Sequence, residues 1–486
     1  MKDWTRIEIT HPLLVAVGNV AEESNVKAFV VGGYVRDQLL GRESKDLDVV
    51  ILGDGIEFAK GFAKFLGKGN VVTYDRFGTA MLNFTGPPET TRPNGSTPDG
   101  GTEKIEFITA RKESYSRDSR KPDVEVGTLE DDLSRRDFTI NAIAASVTED
   151  GRGELIDPFS GREDLEKGVI RTPLDPEKTF DDDPLRLLRA IRFACQLGFA
   201  IEMKVLAAIS RRKERLSIVS QERITDEFMK ILGSLKPSVG LKLMYDTGVM
   251  RIVFPEIADM SGVDQRDEHH HKDVFLHTLK VVDNIAEMSG NLWLRFVALV
   301  HDIAKPRTKA FREGIGWTFH GHDEIGARMM KGIFQRMRLP FDQLEYVEKL
   351  VRLHLRPMAV VDQNVTDSAV RRLLFDSGEE VDDLLMLCRA DITSKNPQLV
   401  QQFMRNYEIV SKKMKEVEEK DRLRAFQPPV RGDEIMSVCN LEPGPLVGKL
   451  KKMIEEAILE GTIPNEHDAA LEYLLKMKEK VLEGQE

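Results

Sequence analysis

The sequence predicts a mixed α/β head followed by an all-helical body. Two observations carry this. Over the first ~150 residues, short β-rich runs alternate with helical stretches, and from about Pro184 onward apolar residues recur at helical spacing. At 486 residues and 41% hydrophobic, the chain can build two or more cores, since single domains rarely grow past about 250–300 residues. No internal repeat is visible.

The elements follow in order. AFVVGG and DLDVVIL read as strands, with YVRDQLL between them as a helix. AMLNF and IEFITA read as a strand pair joined by a long Pro-, Gly- and Thr-rich hairpin loop, Thr85–Glu103. An apolar, helix-like run follows Asp137, and ELIDPFSG reads as a short strand and turn in a connecting segment. Asp183-Pro184 marks a helix start, with Asp at the N-cap and Pro at the first position. Beyond ~270 the pattern is that of a helical domain, and the last ~90 residues are helical and charged.

Composition narrows the function classes. No apolar run approaches the ~20 residues of a membrane span, and the N-terminal MKDWTRIEITHPLL lacks the basic-then-apolar pattern of a secretory signal. Cys195, Cys388 and Cys439 lie far apart and form no zinc or disulfide pattern, which fits a cytoplasmic protein. The net charge of −11 alone argues against nucleic-acid binding, yet Arg186–Lys242 holds twelve Lys or Arg against five Asp or Glu. Such a segment is either a phosphate-binding stripe or a solvated helix surface.

The densest motif is VVGGYVRDQLLGRESKDLDVVI. Gly32 and Gly33 sit between a strand and a helix, where backbone N–H groups approach phosphates closely. Asp46 and Asp48 enter the next strand at i and i+2 and so share a face. Paired carboxylates of this kind hold two divalent cations about 3.5–4 Å apart. Glu106 is either a third carboxylate or a solvated strand residue. In SRRDFTINAIA, Arg135 and Arg136 can fork onto phosphate and Asp137 can accept from a ribose hydroxyl. The alternative for that triplet is an N-cap with flanking ion pairs.

TFDDDPLRLLRAIRF sets Arg186, Arg189 and Arg192 at three-residue spacing. Cytosine and adenine each present an amino donor beside a ring acceptor, whereas uracil and guanine present the reverse. A carboxylate only accepts and a guanidinium only donates. An Asp183/Arg186 pair would therefore take C and A and reject U and G without a template. The structural alternative is that Asp183 caps the helix and Arg186 meets a neighbouring acid.

Together these clusters resemble class II nucleotidyltransferases, the group of CCA-adding enzymes and bacterial poly(A) polymerases. The match runs through Gly32-Gly33-Tyr34-Val35-Arg36-Asp37, Asp46-Leu47-Asp48, Arg135 to Ala142 (with Asn141), Asp182 to Arg186 and Gln221-Glu222-Arg223-Ile224. Phe77-Gly78-Thr79-Ala80 and Arg111 to Tyr115 also fit. The resemblance implies Mg2+ on Asp46 and Asp48, ribose and triphosphate handling by Arg135, Arg136 and Asp137, and base reading by Asp183 with Arg186. Gly32, Gly33, Arg36, Asn141 and Arg189 complete the expected nucleotide site. Asp182 stands where the family commonly has Glu, and the Thr85–Glu103 loop reads as an insertion.

In the helical part, His277, His301-Asp302, His322, His354 and Asp391 can converge on one or two divalent metals. His269, His270 and His271 read as an exposed run. LHTLKVV…LVHDIAKP…HGHDEIGA…RLHL…RADITS resembles the HD phosphohydrolase superfamily over about 270–395. That resemblance implies His277, His301, Asp302 and Asp391 as core ligands of a transition metal or Mg2+, with His322 and His354 completing a two-metal version. Lys305 would contact a phosphate. The tail, with Lys449, Lys451 and Lys452 after Gly444 and Gly448, reads as a charged helix.

The expected architecture is an α/β nucleotidyltransferase head (1–150), a helical neck for base reading and RNA binding (151–265), an HD domain (266–395) and a helical tail (396–486). The expected partners are tRNA, CTP and ATP, with no membrane. Three functions stay open: CCA addition, poly(A) addition, and a phosphohydrolase or RNA-binding protein with an inactive head.

Overall fold

The computed structural model describes residues 4–44, 46–67, 69–85, 102–114, 123–267, 270–314, 316–362, 366–393, 397–421 and 429–482. The bulk of the Thr85–Glu103 loop, Tyr115 and His269 lie outside them. The chain forms two compact units, Met1–Ile231 with Lys242–Val253, and Leu232–Leu241 with Phe254–Glu486.

In the first unit, helix α1 (Pro12–Glu23) leads into strand β1 (Lys27–Val31), α2 (Gly33–Leu39), β2 (Leu47–Leu52) and α3 (Gly55–Leu66). Strands β3 (Asn70–Tyr74), β4 (Thr79–Thr85) and β5 (Thr102–Thr109) follow. A small hairpin of β6 (Arg111–Ser114) and β7 (Asp123–Val126) precedes α4 (Leu129–Ser134), β8 (Ala144–Ser146) and β9 (Leu155–Ile156). The main sheet runs β3-β4-β5-β2-β1-β8-β9. It is mixed: β2 and β5 pair in parallel and the other neighbours antiparallel. Helices α5 (Gly161–Lys167), α6 (Pro176–Asp182) and α7 (Arg186–Leu197) come next.

Burial explains the sheet. β1 and β2 are apolar on both faces, as centrally placed strands must be. Phe58 and Phe62 of α3 pack against Phe107 of β5, with ring centroids 5.3 and 5.4 Å apart. Val31, Val50, Ala142, Ala144 and Leu133 of α4 share one core cluster on the side that carries the site.

Three sequence expectations change here. The run after Asp137 is no helix but a 3-10 turn, Thr139–Asn141, followed by β8 inside the sheet. A fully buried strand and a buried helix look alike in an apolar run, since neither shows an exposed face. Pairing of Thr85 with Thr102 and of Phe84 with Glu103 makes the ends of the expected loop part of the hairpin strands. Regular helical hydrogen bonding of α7 begins at Arg186, not Pro184. Asp183 nevertheless accepts from the Leu185 amide at 3.2 Å, as a capping side chain does.

In the second unit, helices Val274–Met288, Leu292–Val300, His322–Met337, Leu344–Leu353 and Val381–Asp391 surround a core built on Phe275, Phe296 and Phe334. Among the described residues, no helix is long and apolar enough to cross a membrane.

Candidate functional site

In the first unit the site starts at the β1–α2 turn. Gly32 has φ +74, and a Cβ there would lie 3.0 Å from Arg136 Nη1 and 3.8 Å from Asp48 Oδ2. Only glycine accommodates both the backbone and the close approach. Gly33 opens α2 directly behind it.

Asp48 is the second residue of β2. The register sets it opposite Val31 of β1 on one side and Glu106 of β5 on the other. Asp46 stands exposed just ahead of the strand. Burial pushes the Asp48 carboxyl up, the Asp46 charge adds to the rise, and Arg136 opposes it. Burial also raises Glu106, with Asp48 as the next cause. Asp48 thus feels the Asp46 charge and is itself felt by Glu106 across the strand pair, and acidic neighbours of this kind are donors whose repulsion a divalent cation relieves.

The arginines of the second cluster are held from below. Asp132 of α4 is buried and accepts from Arg135 Nε at 3.0 Å and from Arg136 Nη2 at 3.1 Å. Its carboxyl stays below the ordinary range, because the two guanidinium groups outweigh its burial. Asp137 is also buried. Its Oδ1 accepts from the Phe138 amide and from Asn141 Nδ2, and its Oδ2 accepts from Arg189 Nε at 2.7 Å. Burial alone would raise it, but chiefly Arg189 holds it down at about 2. Asn141 in turn accepts from Arg36 Nη1 at 2.8 Å, and Arg36 forks onto Asp37. A charged chain therefore runs Asp37–Arg36–Asn141–Asp137–Arg189, from the glycine turn to α7.

Helix α7 carries the third cluster. Arg186 donates to the Arg135 carbonyl at 2.6 Å, which ties the neck to the phosphate-handling triplet; this partner is a carbonyl and not an acid. Asp183 lies 3.9 Å from Arg223 of the Gln221–Ile224 motif. Arg36, Arg189 and Arg192 all stack around Phe193, at 5.1, 5.6 and 4.1 Å from its ring centre. Arg192 also pairs with the buried Glu227 at 2.6 Å.

The second unit gathers the predicted histidines and aspartates in one place. His277 Nε2 lies 2.8 Å from Asp391 Oδ1 and 3.7 Å from Asp302 Oδ2, and His301 Nε2 is 3.2 Å from Asp302 Oδ2. On the other oxygen, Asp302 Oδ1 faces His322 Nε2 at 3.3 Å and His354 Nε2 at 3.8 Å. Asp302 is therefore a fork between two groups, His277–His301–Asp302 and Asp302–His322–His354.

The outward ring nitrogens fix the tautomers. Nδ1 of His301, His322 and His354 sits 2.8, 2.7 and 2.6 Å from the carbonyls of Ala298, Phe319 and Val351. A carbonyl only accepts, so Nδ1 carries the proton and Nε2 turns inward. Those three inward nitrogens are buried without a well-aligned hydrogen-bond partner, and they face the carboxylate oxygens of Asp302 and Asp391. Orphaned acceptors converging on shared carboxylates are what a divalent ion satisfies, so the residues fit a metal. Without one, burial disfavours a charged His301, but Asp302 and Asp391 push it up to about 10. Burial and His301 press His354 down to about 4. Lys305 donates to Asp302 at 2.6 Å.

Sequence reasoning passed over Asp132, Glu227 and Thr393, whose hydroxyl meets His277 Nδ1 at 2.8 Å. The signal for Asp132 was present: Arg135 and Arg136 stand at i+3 and i+4 from it on a helix. Thr393, two residues past Asp391, and Glu227 carried no such local mark.

Comparison with known proteins gives the family and its domains. A family model of the poly A polymerase head domain matches residues 28–171. A probable RNA- and SrmB-binding site of polymerase A matches 198–260, and an HD domain matches 274–391. The A-adding tRNA nucleotidyltransferase of Deinococcus radiodurans is 32% identical over 70% of this chain and 78% of its own. The multifunctional CCA protein of Methylococcus capsulatus is 33% identical over 75% of this chain and 81% of its own. A solved CCA-adding enzyme in complex with CTP aligns at 25% identity with a TM-score of 0.60, over 97% of this chain and 95% of that one.

Proposed function

The chain belongs to the class II CCA-adding family with a C-terminal HD domain, and from that premise we propose that it adds C and A nucleotides from CTP and ATP to the 3′ end of tRNA. The observation that carries the reading is the Asp46–Asp48–Glu106 strand edge beside the Gly32 turn and Arg136. The four-part division of the chain (1–150, 151–265, 266–395, 396–486) and cytoplasmic action on tRNA belong to the same proposal.

Asp46 and Asp48 would hold divalent cations, assigned as Mg2+, which when bound favour ionisation of the RNA 3′-hydroxyl and neutralise the triphosphate. Arg135 and Arg136, aligned by Asp132, bind the triphosphate over the Gly32-Gly33 turn. Asp137 and Asn141, locked between Arg36 and Arg189, position the ribose. Asp183 and Arg186 supply one acceptor and one donor, the complement that C and A share and that U and G lack. In the other unit, His277, His301, Asp302 and Asp391 would hold one divalent ion, and His322 and His354 a second through Asp302. Such ions, when bound, supply an activated water for phosphate-ester hydrolysis. Lys305 steadies the phosphate, and transition metals or Mg2+ suit this ligand set.

The test uses purified protein, magnesium and tRNA lacking its terminal CCA, with each nucleoside triphosphate. Two C and one A are expected. The Deinococcus relative favours a second reading, terminal A addition alone, which would show as A incorporated only on tRNA already ending in CC. A long A tract would replace both with poly(A) synthesis, and no incorporation would overturn the transferase reading.

A further inference from the structure

The second unit presents an aromatic surface that neither site described above uses. Past Lys305 the chain leaves the histidine–aspartate cluster, forms a two-stranded hairpin of Ala310–Arg312 and Gly316–Thr318, and returns to the cluster at His322. The register pairs Phe311 with Trp317 across the strands, and their rings meet at a steep angle with centroids 5.4 Å apart. Such pairs ordinarily close a core. Here Phe311 is 61% exposed and Trp317 is 37% exposed.

The segment itself is basic. Lys309 Nζ lies 4.6 Å from the Trp317 ring centre, and Arg307 and Arg312 are exposed. Residues 305–318 hold four basic side chains and one acid, in a chain of net charge −11. Lys309 is four positions past Lys305 and Thr318 four positions before His322, so each foot of the hairpin lies within about 14 Å of a residue at the cluster. Exposed rings among cations suit single-stranded nucleic acid, because every base offers a π-face and every phosphate a negative charge.

We propose that the Phe311–Trp317 hairpin is a stacking platform for the last bases of a single-stranded RNA whose terminal phosphate enters the histidine–aspartate cluster. This rests on reading that cluster as a phosphoester hydrolase, and narrows its substrate from small phosphoesters to RNA ends. Arg307 and Arg312 meet the backbone phosphates, and the bases stack on the rings.

The full chain, loaded with Mn2+ or Mg2+, is assayed on an oligoadenylate ending in a 2′,3′-cyclic phosphate and on abasic ribose 2′,3′-cyclic phosphate. The second offers the same ester without a base. The native protein is expected to prefer the oligonucleotide, mainly through KM. The double variant Phe311→Ala/Trp317→Ala is expected to shrink that preference by roughly 5- to 150-fold per stacked base. Equal efficiency on both substrates, or a double variant that keeps the preference, overturns the platform. No turnover of either substrate overturns the hydrolase reading instead. The platform then stands or falls on tryptophan fluorescence: quenching by the oligonucleotide that vanishes in Trp317→Phe supports it, and no quenching in the native protein sinks it.

Discussion

Asp132 shows how one buried acid sets the geometry of a site it does not line. Both of its oxygens are taken by arginines that the sequence marks as phosphate ligands. Removing its charge frees both guanidinium groups to find other partners, at about 1.5–3 kcal/mol for each charge-assisted bond lost. Asp132→Asn is therefore expected to lower kcat/KM for CTP and ATP by about 10- to 100-fold, chiefly through KM, in steady-state addition assays. Asp137 makes a pH argument. Arg189 holds its carboxyl at about 2, below the ~3.9 of an unfolded aspartate. The stabilisation it contributes, about 2 kcal/mol, is complete above pH ~4 and is lost as the pH falls towards 2. Urea midpoints of the native protein and of Asp137→Asn should differ at pH 7 and converge in acid; a gap that widens in acid would refute the assignment.

At the scale of elements, the β1–α2 turn and the start of β2 were legible because strand, glycine pair, helix and Asp-x-Asp follow one another within 25 residues. The placement of Glu106 beside Asp48 was not. It depends on the parallel pairing of β2 with β5, a contact made across the whole β3–β4 excursion. β8 was misread for the opposite reason, since its run is buried on every side and local pattern carries no face to read. The histidines were legible as a set, while the carbonyls that orient them come from the preceding turn of each chain segment and leave no residue-type signature. The turn itself is open to test. Gly32→Ala adds a methyl group at positive φ and against Arg136. With ψ at −127 the backbone is outside even the left-handed helical region, so the change is expected to destabilise the first unit by about 1–3 kcal/mol, seen as a lower melting temperature, and to abolish addition even at temperatures where the variant stays folded.

For the whole molecule, the two proposed centres lie in two separately packed units, Asp46 and Asp48 in the first and the histidine–aspartate cluster in the second. Asp46→Ala should abolish nucleotide addition and spare phosphoester hydrolysis, and Asp302→Ala should do the reverse. Parallel assays of both variants decide this, and equal loss of both activities in either variant contradicts two independent centres. Because Asp302 supplies an oxygen to each half of its cluster, its loss should also lower metal content by more than loss of His354 does, as measured by metal analysis after dialysis.

The route of the backbone bears on how such experiments can be done at all. The polypeptide passes from one unit to the other at Ile231, returns at Lys242 and leaves again at Phe254. A fragment ending at residue 231 would lack the Lys242–Val253 stretch, with Val249, Met250 and Val253 of its interior. A fragment beginning at 254 would lack Leu232–Leu241. No single scission yields two intact halves, so a failed truncation would report broken packing rather than dependence of one chemistry on the other.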